Sequence, residues 1–394
     1  MIRPTWRGVG FSIVVLAVYF FAGQTQIGWL YVMVAGGFAW LVLSIVVAVW
    51  AIQGVRVRRH PVISAGRPPV EDDHLTVQLL VGTAGRTTRR FLRIVDESPV
   101  APPDQRRVSI VIARLPGGPP TVLEYETVCY LRGVYHWPAV RIESDGPLGF
   151  FRAVRWIDAP TSLLVLPPAY SVSGVARGSR SEPAPALRPR RGPGLDLFGT
   201  RQYQQGDSFH HVHWRSTARH RELVVREYEE PRQPALAIWI DNAGVFGEGR
   251  ESSLEYAVKL ASTLGVWALD SDYTVTLIDR RLAVPCKSPL HLRQVLARLG
   301  AADPDPWPQS VEARRATAAV VLRAAGATGA PPDIPPFVQI RVSVGLIGFV
   351  GQLETPAEPA VVEVHAGTDL VRDATTIARY LAGSEAASGR PVRR

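Results

Sequence analysis

The stretch GLDLFGTRQYQQGDSFHHVHWRSTARHRELVVRE, from Gly194 to Glu227, is the segment around which we interpret the rest of the chain. It combines aromatic rings with many arginine, histidine and carboxylate groups, and a Gln-Gln-Gly-Asp turn lies near its centre. Aromatic and ionic groups in one short segment are typical of a half-buried network of ion pairs. We expect Asp207 to cap a short helix that begins at Ser208, and Leu223–Val225 to form a strand.

The charged residues of this segment are suited to pair with one another, because an arginine fork can hold a carboxylate through two hydrogen bonds. The candidate arginines are Arg201, Arg215, Arg219 and Arg226, and the candidate carboxylates are Asp196, Asp207, Glu222 and Glu227. The segment is therefore predicted either to bind a partner or to lock its own fold.

The order of residues in this segment resembles the signature of the bacterial domain-of-unknown-function-58 family. Four patterns follow one another, G-x-D, R-x-Y-x-x-G-D, H-W-R-x-x-A-R and L-x-V-R-E. The chain departs from the family at Phe209–His211, where the family more often carries a charged pair with Arg. The matching positions are Gly194, Asp196, Arg201, Tyr203, Gly206, Asp207, His213, Trp214, Arg215, Ala218, Arg219, Leu223, Val225, Arg226 and Glu227.

The resemblance implies an architecture and partners but no reaction. It implies a two-helix membrane anchor, a β-rich segment containing the run D-G-P-L-G-F (Asp145–Phe150), the signature motif and a von Willebrand A-like domain. It also implies that the protein works with a MoxR-type AAA+ ATPase, alongside transglutaminase-like or other von Willebrand A proteins. The motif residues expected to bind a partner or hold the motif together are Asp196, Arg201, Tyr203, Gly206, Asp207, His213, Trp214, Arg215, Arg219, Arg226 and Glu227.

The N-terminal region contains two apolar runs, Gly8–Gly23 and Gly28–Ala51. The second is long enough to span a bilayer, which needs about 20 residues. The link Gln24–Ile27 is so short that the two helices must form an antiparallel hairpin. A cleaved signal peptide is the alternative for the first run, but a second span follows at once and no small-residue cleavage site precedes it.

The charges that flank the two runs predict their orientation. Arg3 and Arg7 precede the first helix, Arg56, Arg58 and Arg59 follow the second, and the connecting loop is uncharged. The positive-inside rule therefore places both termini in the cytoplasm. The family resemblance implies that the two helices span a bacterial plasma membrane.

The composition limits the class of protein. The 394 residues are 46% hydrophobic and 20% charged, with a net charge of +9 that favours anionic partners. Cys129 and Cys286 show no CxxC spacing, which argues against a disulfide framework or a structural zinc site and fits a reducing compartment. We divide the chain into five regions: a transmembrane hairpin (1–54), a β-rich domain (55–169), a Pro/Arg-rich linker (170–193), the motif with the von Willebrand A-like domain (194–380) and a disordered tail (381–394).

The middle of the chain is predicted to be a small β-sandwich. In Thr121–Leu131, Leu123, Tyr125 and Thr127 share one face and glutamates occupy the other, which indicates a half-buried strand. Further apolar runs that predict strands are His74–Val81, Arg107–Ala113, Leu148–Ile157 and Ser162–Pro167.

The C-terminal region alternates strand and helix patterns. Strands at Ala235–Asp241, Thr274–Asp279, Val338–Val344 and Val361–His365 and helices at Glu251–Leu269 and Leu290–Leu299 predict a Rossmann-like, mostly parallel sheet with helices on both faces.

Asp241 is predicted to lie at a strand end where such folds bind ligands. In a metal-binding von Willebrand A domain this position begins D-x-S-x-S, with oxygen ligands for Mg²⁺. Both serines are missing from the run that begins at Asp241, so we expect this carboxylate to bond the following loop instead.

The enzyme motifs considered are not present. The sequence has no phosphate-binding G-x-x-x-x-G-K-[ST], no H-E-x-x-H and no G-x-S-x-G, and neither cysteine has an obvious base partner. The histidines His210, His211, His213 and His220 have no Cys or acidic ligand at zinc spacing. The arginines are dispersed and no recognition motif for nucleic acid is visible, so no nucleic-acid partner is predicted.

We therefore predict an α/β, membrane-anchored, non-enzymatic interaction protein without a cofactor. Two alternatives remain open. One is a hydrolase or transferase whose site is built around Asp207, His213 and Asp241, and the other is a divalent-metal-dependent binding module that uses Mg²⁺ at Asp241.

Overall fold

A computed structural model describes residues 1–63, 66–172, 197–205, 207–220, 222–228, 234–243, 245, 247–301, 316, 318–324, 339–345, 361–365 and 369–381. The chain forms two compact units, 1–166 and 167–394. The fold is mixed α/β. Among the described residues, three of the four sheets are antiparallel and one is mostly parallel.

The first unit begins with a short strand β1 (Ile2–Pro4) and two long apolar helices, α1 (Trp6–Thr25) and α2 (Gly28–Ile52). The Thr5 side chain caps α1 by accepting a hydrogen bond from the backbone of Gly8. Both helices are long and apolar enough to cross a membrane, and most of their surface is exposed. Since soluble proteins rarely expose so large an apolar surface, these helices indicate membrane association.

Seven further strands follow in the first unit and form two antiparallel sheets. Side chains from both sheets share one hydrophobic core, which is the sandwich arrangement that the strand patterns predict. One sheet has the order β1-β8-β7-β4-β5 and the other β2-β3-β6. The strands are β2 (Val55–Val62), β3 (His74–Thr83), β4 (Arg89–Glu97), β5 (Arg107–Leu115), β6 (Thr121–Val128), β7 (Gly133–Ser144) and β8 (Phe151–Val165).

One prediction about these strands was wrong. The sequence suggested two separate strands, Leu148–Ile157 and Ser162–Pro167, but they form the single strand β8. Pro160 lies inside β8 without ending it. Between the pairs Trp137–Thr161 and Ala139–Asp158 the register shifts, because Ala159 and Pro160 of β8 lie opposite one residue of β7, so the extra residue is on β8.

The anchor and the sandwich share a core. Ala48, Ala51 and Ile52 at the end of α2 are buried with the strand residues of the sandwich. β2 begins at Val55, directly after the helix, so that no flexible linker separates the two. Helix and sheet are therefore packed as one body.

The D-G-P-L-G-F run, Asp145–Phe150, packs against both helices. The Phe150 ring stacks on Phe11 of α1 at a centroid distance of 4.5 Å. Gly146 has a φ of +61°, which a residue with a Cβ rarely adopts, and it lies against Ser44 and Ala48 of α2. A glycine is thus required at the point where the loop meets the anchor.

A buried ion pair crosses the sandwich core. Arg59 of β2 donates two hydrogen bonds to Asp96 of β4, at 2.9 and 2.5 Å, and both side chains are at most 1% exposed. The Arg59 guanidinium also donates to the carbonyl of Ala159 at 2.7 Å, and the hydroxyl of Tyr125 donates to Asp96 at 2.8 Å. Arg59 was counted with the positive charges that flank the anchor, but its side chain is occupied inside the protein.

The second unit contains a two-stranded hairpin and a six-stranded sheet. The six-stranded sheet has the order β13-β12-β11-β14-β15-β16, in which β13 alone runs antiparallel to its neighbour. The hairpin consists of β9 (Leu197–Gln202) and β10 (Val224–Tyr228), and the larger sheet of β11 (Ala235–Ile240), β12 (Thr274–Ile278), β13 (Ala283–Cys286), β14 (Ala318–Ala324), β15 (Gln339–Gly345) and β16 (Val361–His365).

Three helices cover the larger sheet, α4 (Ser253–Asp270), α5 (Pro289–Ala297) and α6 (Leu370–Leu381). All three contribute to one core together with Leu236, Ile238 and Ile240 of β11. The alternate side chains of β11 point to a separate, smaller cluster on the opposite face. The prediction of helices on both faces is therefore met on one face, and no helix on the other face is among the described residues.

Candidate functional site

The signature motif folds as a hairpin that carries a short helix. Strands β9 and β10 pair antiparallel, and between them lie a 3₁₀ turn at Phe209–His211 and helix α3 (Trp214–His220). The backbone of His213 donates to the carbonyl of Val224 at 2.8 Å, which fixes the start of α3 against β10. Residues that lie far apart along the motif are thus brought onto one small scaffold.

Arg201 and Asp207 form the ion pair that closes the turn of the motif. The guanidinium donates two parallel bonds of 2.7 Å to the carboxylate, which also accepts the backbone N–H of Gln204 at 2.8 Å. The hydrogen bonds from Arg201, and then that from Gln204, lower the pKa of Asp207. The pairing predicted for Arg201 is confirmed.

The predicted helix-capping role of Asp207 was wrong. The Asp207 carboxylate is turned back toward Gln204, and Ser208 caps the 3₁₀ turn by accepting the backbone N–H of His210 at 3.4 Å. The physical reason is the bidentate arginine, which holds both carboxylate oxygens on the other side of the turn.

His213 has a structural role at the start of α3. Its Nδ1 atom accepts the backbone N–H of Ser216 at 3.2 Å and lies 2.7 Å from the Ser216 hydroxyl. An imidazole that accepts at Nδ1 carries its hydrogen on Nε2, so the ring caps the first turn of the helix. The Tyr203 and Phe209 rings of the motif stack on each other, with centroids 5.4 Å apart.

Two further polar contacts also stay inside the motif. The side chain of Gln202 donates to Glu222 across the hairpin, and the Thr217 hydroxyl accepts the backbone N–H of Val224 at 3.1 Å. Glu222, which was a candidate partner for an arginine, is thus bound by an amide instead.

Several large side chains of the motif are exposed. Trp214 at the start of α3 is 64% exposed and Phe209 is 61% exposed. Arg215, Arg219 and Arg226 are exposed as well, and none of the three forms an ion pair within the part of the chain that the structure describes. The carboxylate pairing predicted for these three arginines is therefore not observed among the described residues.

Three positions of the motif are incompletely described. Asp196 and Gly206 lie outside the described residues. Glu227 lies in β10, where its backbone pairs with Gly199, and nothing is described of its side chain.

Asp241 lies directly after β11, as predicted, and its carboxylate is held by an arginine. Arg280 donates from Nε to one oxygen at 3.0 Å and from Nη2 to the other at 3.1 Å, and the Asp241 side chain is 3% exposed. A weaker bond of 3.4 Å joins the same carboxylate to the backbone N–H of Ala243 in the following loop, as expected. Among the described residues, no group of three His, Cys, Asp or Glu side chains is arranged to hold a metal ion.

Both cysteines are buried within hydrophobic cores. Burial raises the pKa of the Cys129 thiol to about 12 and that of Cys286 to about 11. Since the thiolate is the nucleophilic form, neither sulfur is suited to nucleophilic chemistry near neutral pH.

The comparisons with known proteins identify the segment that contains the motif. Residues 199–326 match the family described as protein of unknown function DUF58. The match covers less than half of the chain and includes the motif from β9 onward together with much of the larger sheet. A search of curated proteins returned no match.

Two solved structures are similar to parts of the chain, at low values of the similarity score. One is a GH20 exo-β-N-acetylglucosaminidase from Vibrio harveyi in complex with N-acetylglucosamine, with 8% identity and a TM-score of 0.22 over 54% of this chain and 45% of that one. The other is an immunoglobulin-like protein from Pseudomonas aeruginosa, with 18% identity and a TM-score of 0.16 over 28% of this chain and 95% of that one. This chain spans less than half of the glucosaminidase.

Sequence reasoning missed two features of the second unit. It did not identify Arg280 as the partner of Asp241, because the two residues are distant along the chain. It also did not identify Ser216 as the partner of His213. The signal in the sequence was a serine three residues after a histidine that could cap a helix.

Proposed function

We propose that this protein is a membrane-anchored, non-enzymatic interaction protein whose signature motif binds a partner. The observation that carries the proposal is the contrast between the bonded and the exposed side chains of the motif. Arg201, Asp207 and His213 bond to their own neighbours and form its skeleton. A tryptophan, a phenylalanine and three arginines are exposed to solvent.

The composition of the exposed side chains supports a binding role. Trp and Arg are the residue types most enriched among those that dominate binding energy, and a rigid scaffold lowers the entropy lost on association. Three exposed arginines that form no ion pair with the described residues favour an acidic partner surface. The exposed residues are Phe209, Trp214, Arg215, Arg219 and Arg226.

The proposed partner is a MoxR-type AAA+ ATPase, with transglutaminase-like or other von Willebrand A proteins as further components. This part of the proposal comes from the resemblance of the motif and from the DUF58 match over residues 199–326. The strand order of the larger sheet supports a von Willebrand A-like domain. The chain adds β12 on one side of β11 and then β14 on the other, and doubly wound folds show the same reversal of strand order.

The proposed orientation has both termini, the sandwich and the second unit in the cytoplasm of a bacterium. It follows from Arg3, Arg7, Arg56 and Arg58, which flank the two candidate spans and are exposed at their ends. The two buried free cysteines fit the same reducing compartment.

The enzyme alternative would need free catalytic groups at Asp207, His213 and Asp241. Each of them is engaged by a structural partner, which weighs against a hydrolase or transferase. The metal-dependent alternative would need the Asp241 oxygens that Arg280 occupies, since a cation and a guanidinium compete for the same carboxylate.

The test is to purify the full-length protein from native membranes and to measure how much of the ATPase co-purifies with it. Trp214→Ala and Arg215→Ala change exposed side chains of the motif, and Arg114→Ala changes an arginine that is exposed on β5 of the other unit. We expect each motif variant to keep the wild-type Tm and to weaken binding about 30-fold, which corresponds to about 2 kcal/mol. Arg114→Ala is expected to bind as wild type.

Photo-crosslinking makes the test independent of affinity. A photoreactive amino acid at position 219 should capture an ATPase subunit, identified by mass spectrometry, and the same group at position 114 should not. If folded motif variants retain the ATPase as well as wild type does, or if both positions capture the same proteins, the motif is not the binding surface.

A further inference from the structure

A cavity of about 420 Å³ lies in the first unit where the chain enters α1. Its wall includes Thr5 and Trp6, the cap and first residue of α1, together with residues of β1, β5, β7 and β8. Four arginines and one carboxylate, Glu143, line it, so positive charge is in excess by three. The four are Arg3, Arg107, Arg141 and Arg152.

Arg141 is held at the wall of this cavity with unused hydrogen-bonding capacity. Its guanidinium lies over the Trp156 ring, 5.6 Å from the centroid. Its Nε atom is 3.1 Å from Glu143, but the geometry makes no hydrogen bond, and neither Nε nor one terminal nitrogen has a hydrogen-bond partner among the described residues. Enclosed guanidinium donors without acceptors are costly unless a ligand satisfies them.

The other three arginines of the cavity also contribute positive charge that a ligand could use. Arg152 donates to Asp145 at 2.6 and 3.0 Å and is 3.9 Å from Glu143, which it therefore shares with Arg141. Arg3 and Arg107 are exposed, and neither forms an ion pair with any residue that the structure describes. One carboxylate thus faces several cations at the cavity.

The cavity lies at the depth of the lipid headgroups if the helices span a bilayer. From Ser44 onward α2 packs against the sandwich, which leaves Gly28–Leu43, about 24 Å at 1.5 Å per residue, free to face lipid. The hydrocarbon core of a bilayer is about 30 Å thick. The base of the sandwich must therefore lie in the headgroup layer, and Trp6 and Trp156, which are 89% and 54% exposed, are of the residue type enriched there.

We propose that this cavity binds the phosphate of an anionic phospholipid headgroup. Arginine forks bind phosphate oxygens through paired hydrogen bonds, and basic pockets beside membrane helices on the cytoplasmic side bind anionic headgroups. The site is distinct from the signature motif and does not depend on a protein partner. It depends on the two helices being inserted in a membrane.

The test compares two double variants of equal charge in the full-length protein. Arg3→Gln with Arg107→Gln removes two cavity arginines, and Arg7→Gln with Arg114→Gln removes two exposed arginines that do not line the cavity. Each protein is reconstituted in nanodiscs of phosphatidylcholine with a fraction of phosphatidylglycerol, and bound lipid is counted by native mass spectrometry. Thermal unfolding of each variant confirms that it is folded.

We expect wild type and the Arg7/Arg114 variant to retain phosphatidylglycerol over phosphatidylcholine, and the Arg3/Arg107 variant to lose about 30-fold in this preference, which corresponds to about 2 kcal/mol. Equal losses in the two variants, or no preference in wild type, would overturn the proposal. Displacement of the lipid by millimolar inorganic phosphate would show that the cavity takes free phosphate instead. Failure of wild type to float with phosphatidylcholine liposomes would overturn the insertion on which the site depends.

Discussion

The buried ion pair of the sandwich allows a quantitative prediction. Arg59→Met keeps the apolar stem of the side chain but removes four hydrogen bonds, two to Asp96 and one each to the carbonyls of Ala159 and Trp137. Asp96 then remains about 1% exposed with an uncompensated charge. Removing one partner of a buried pair costs about 3–5 kcal/mol, and about 2–4 °C of Tm is lost per kcal/mol in a domain of this size. We therefore expect the Tm of the first unit to fall by about 6–20 °C.

The measurement is thermal unfolding of the full-length protein in nanodiscs, followed by tryptophan fluorescence. Arg58→Met is the matched control, because Arg58 is the preceding residue of β2 and is exposed. We expect it to change stability by less than about 0.5 kcal/mol. A variant that combines Arg59→Met with Asp96→Leu and Tyr125→Phe should recover much of the loss, since no charge stays buried. Equal Tm values for the Arg58 and Arg59 variants would refute the reasoning.

Three further predictions follow from burial, charge and close packing. Cys129 and Cys286 are buried in the cores of the two units, and burial raises their pKa values to about 12 and about 11. Both thiols should therefore resist iodoacetamide in the folded protein. Each should become labelled as its own unit unfolds, and peptide mass spectrometry would measure the two labelling events separately. Because the pKa of Asp207 is lowered, its ion pair with Arg201 stabilises the fold at pH values above the ordinary aspartate pKa of about 3.9, and this stabilisation is lost as the pH falls through the lowered pKa. Arg201→Met should raise the Asp207 pKa toward about 3.9, which ¹³C NMR of the carboxyl group would measure. Gly8→Ala would force a Cβ against a loop carbonyl and should cost about 1–3 kcal/mol of stability in a thermal melt, while Gly10→Ala, which meets nothing nearby, should be neutral; equal melts would contradict the packing.

The sequence was most informative where partners are close along the chain. The alternation in Thr121–Leu131 predicted which face of β6 is buried, and Tyr125 is indeed 7% exposed. Arg201 and Asp207 are six residues apart on either side of a turn, so that their pairing could be predicted. Helices α4 and α5 follow from apolar residues at helical spacing.

The sequence was least informative where partners are far apart. Arg59 shares the inward face of β2 with Val55 and Val57, a signal that was visible, but its partner Asp96 lies on another strand and in the other sheet. Arg280 in the same way could not be assigned to a carboxylate before the strands were placed. A charged side chain in the core is fixed by tertiary packing, which periodicity does not encode.

The continuity of α2 with the sandwich has a mechanical consequence. A helical span that does not match the thickness of the bilayer responds by tilting or by deforming the bilayer around it. Because Ala48, Ala51 and Ile52 belong to the core of the sandwich, the sheets must follow any tilt or shift of the helix. A change of membrane thickness would therefore move the whole sandwich relative to the membrane plane, so that bilayer thickness becomes an input to the position of the sandwich.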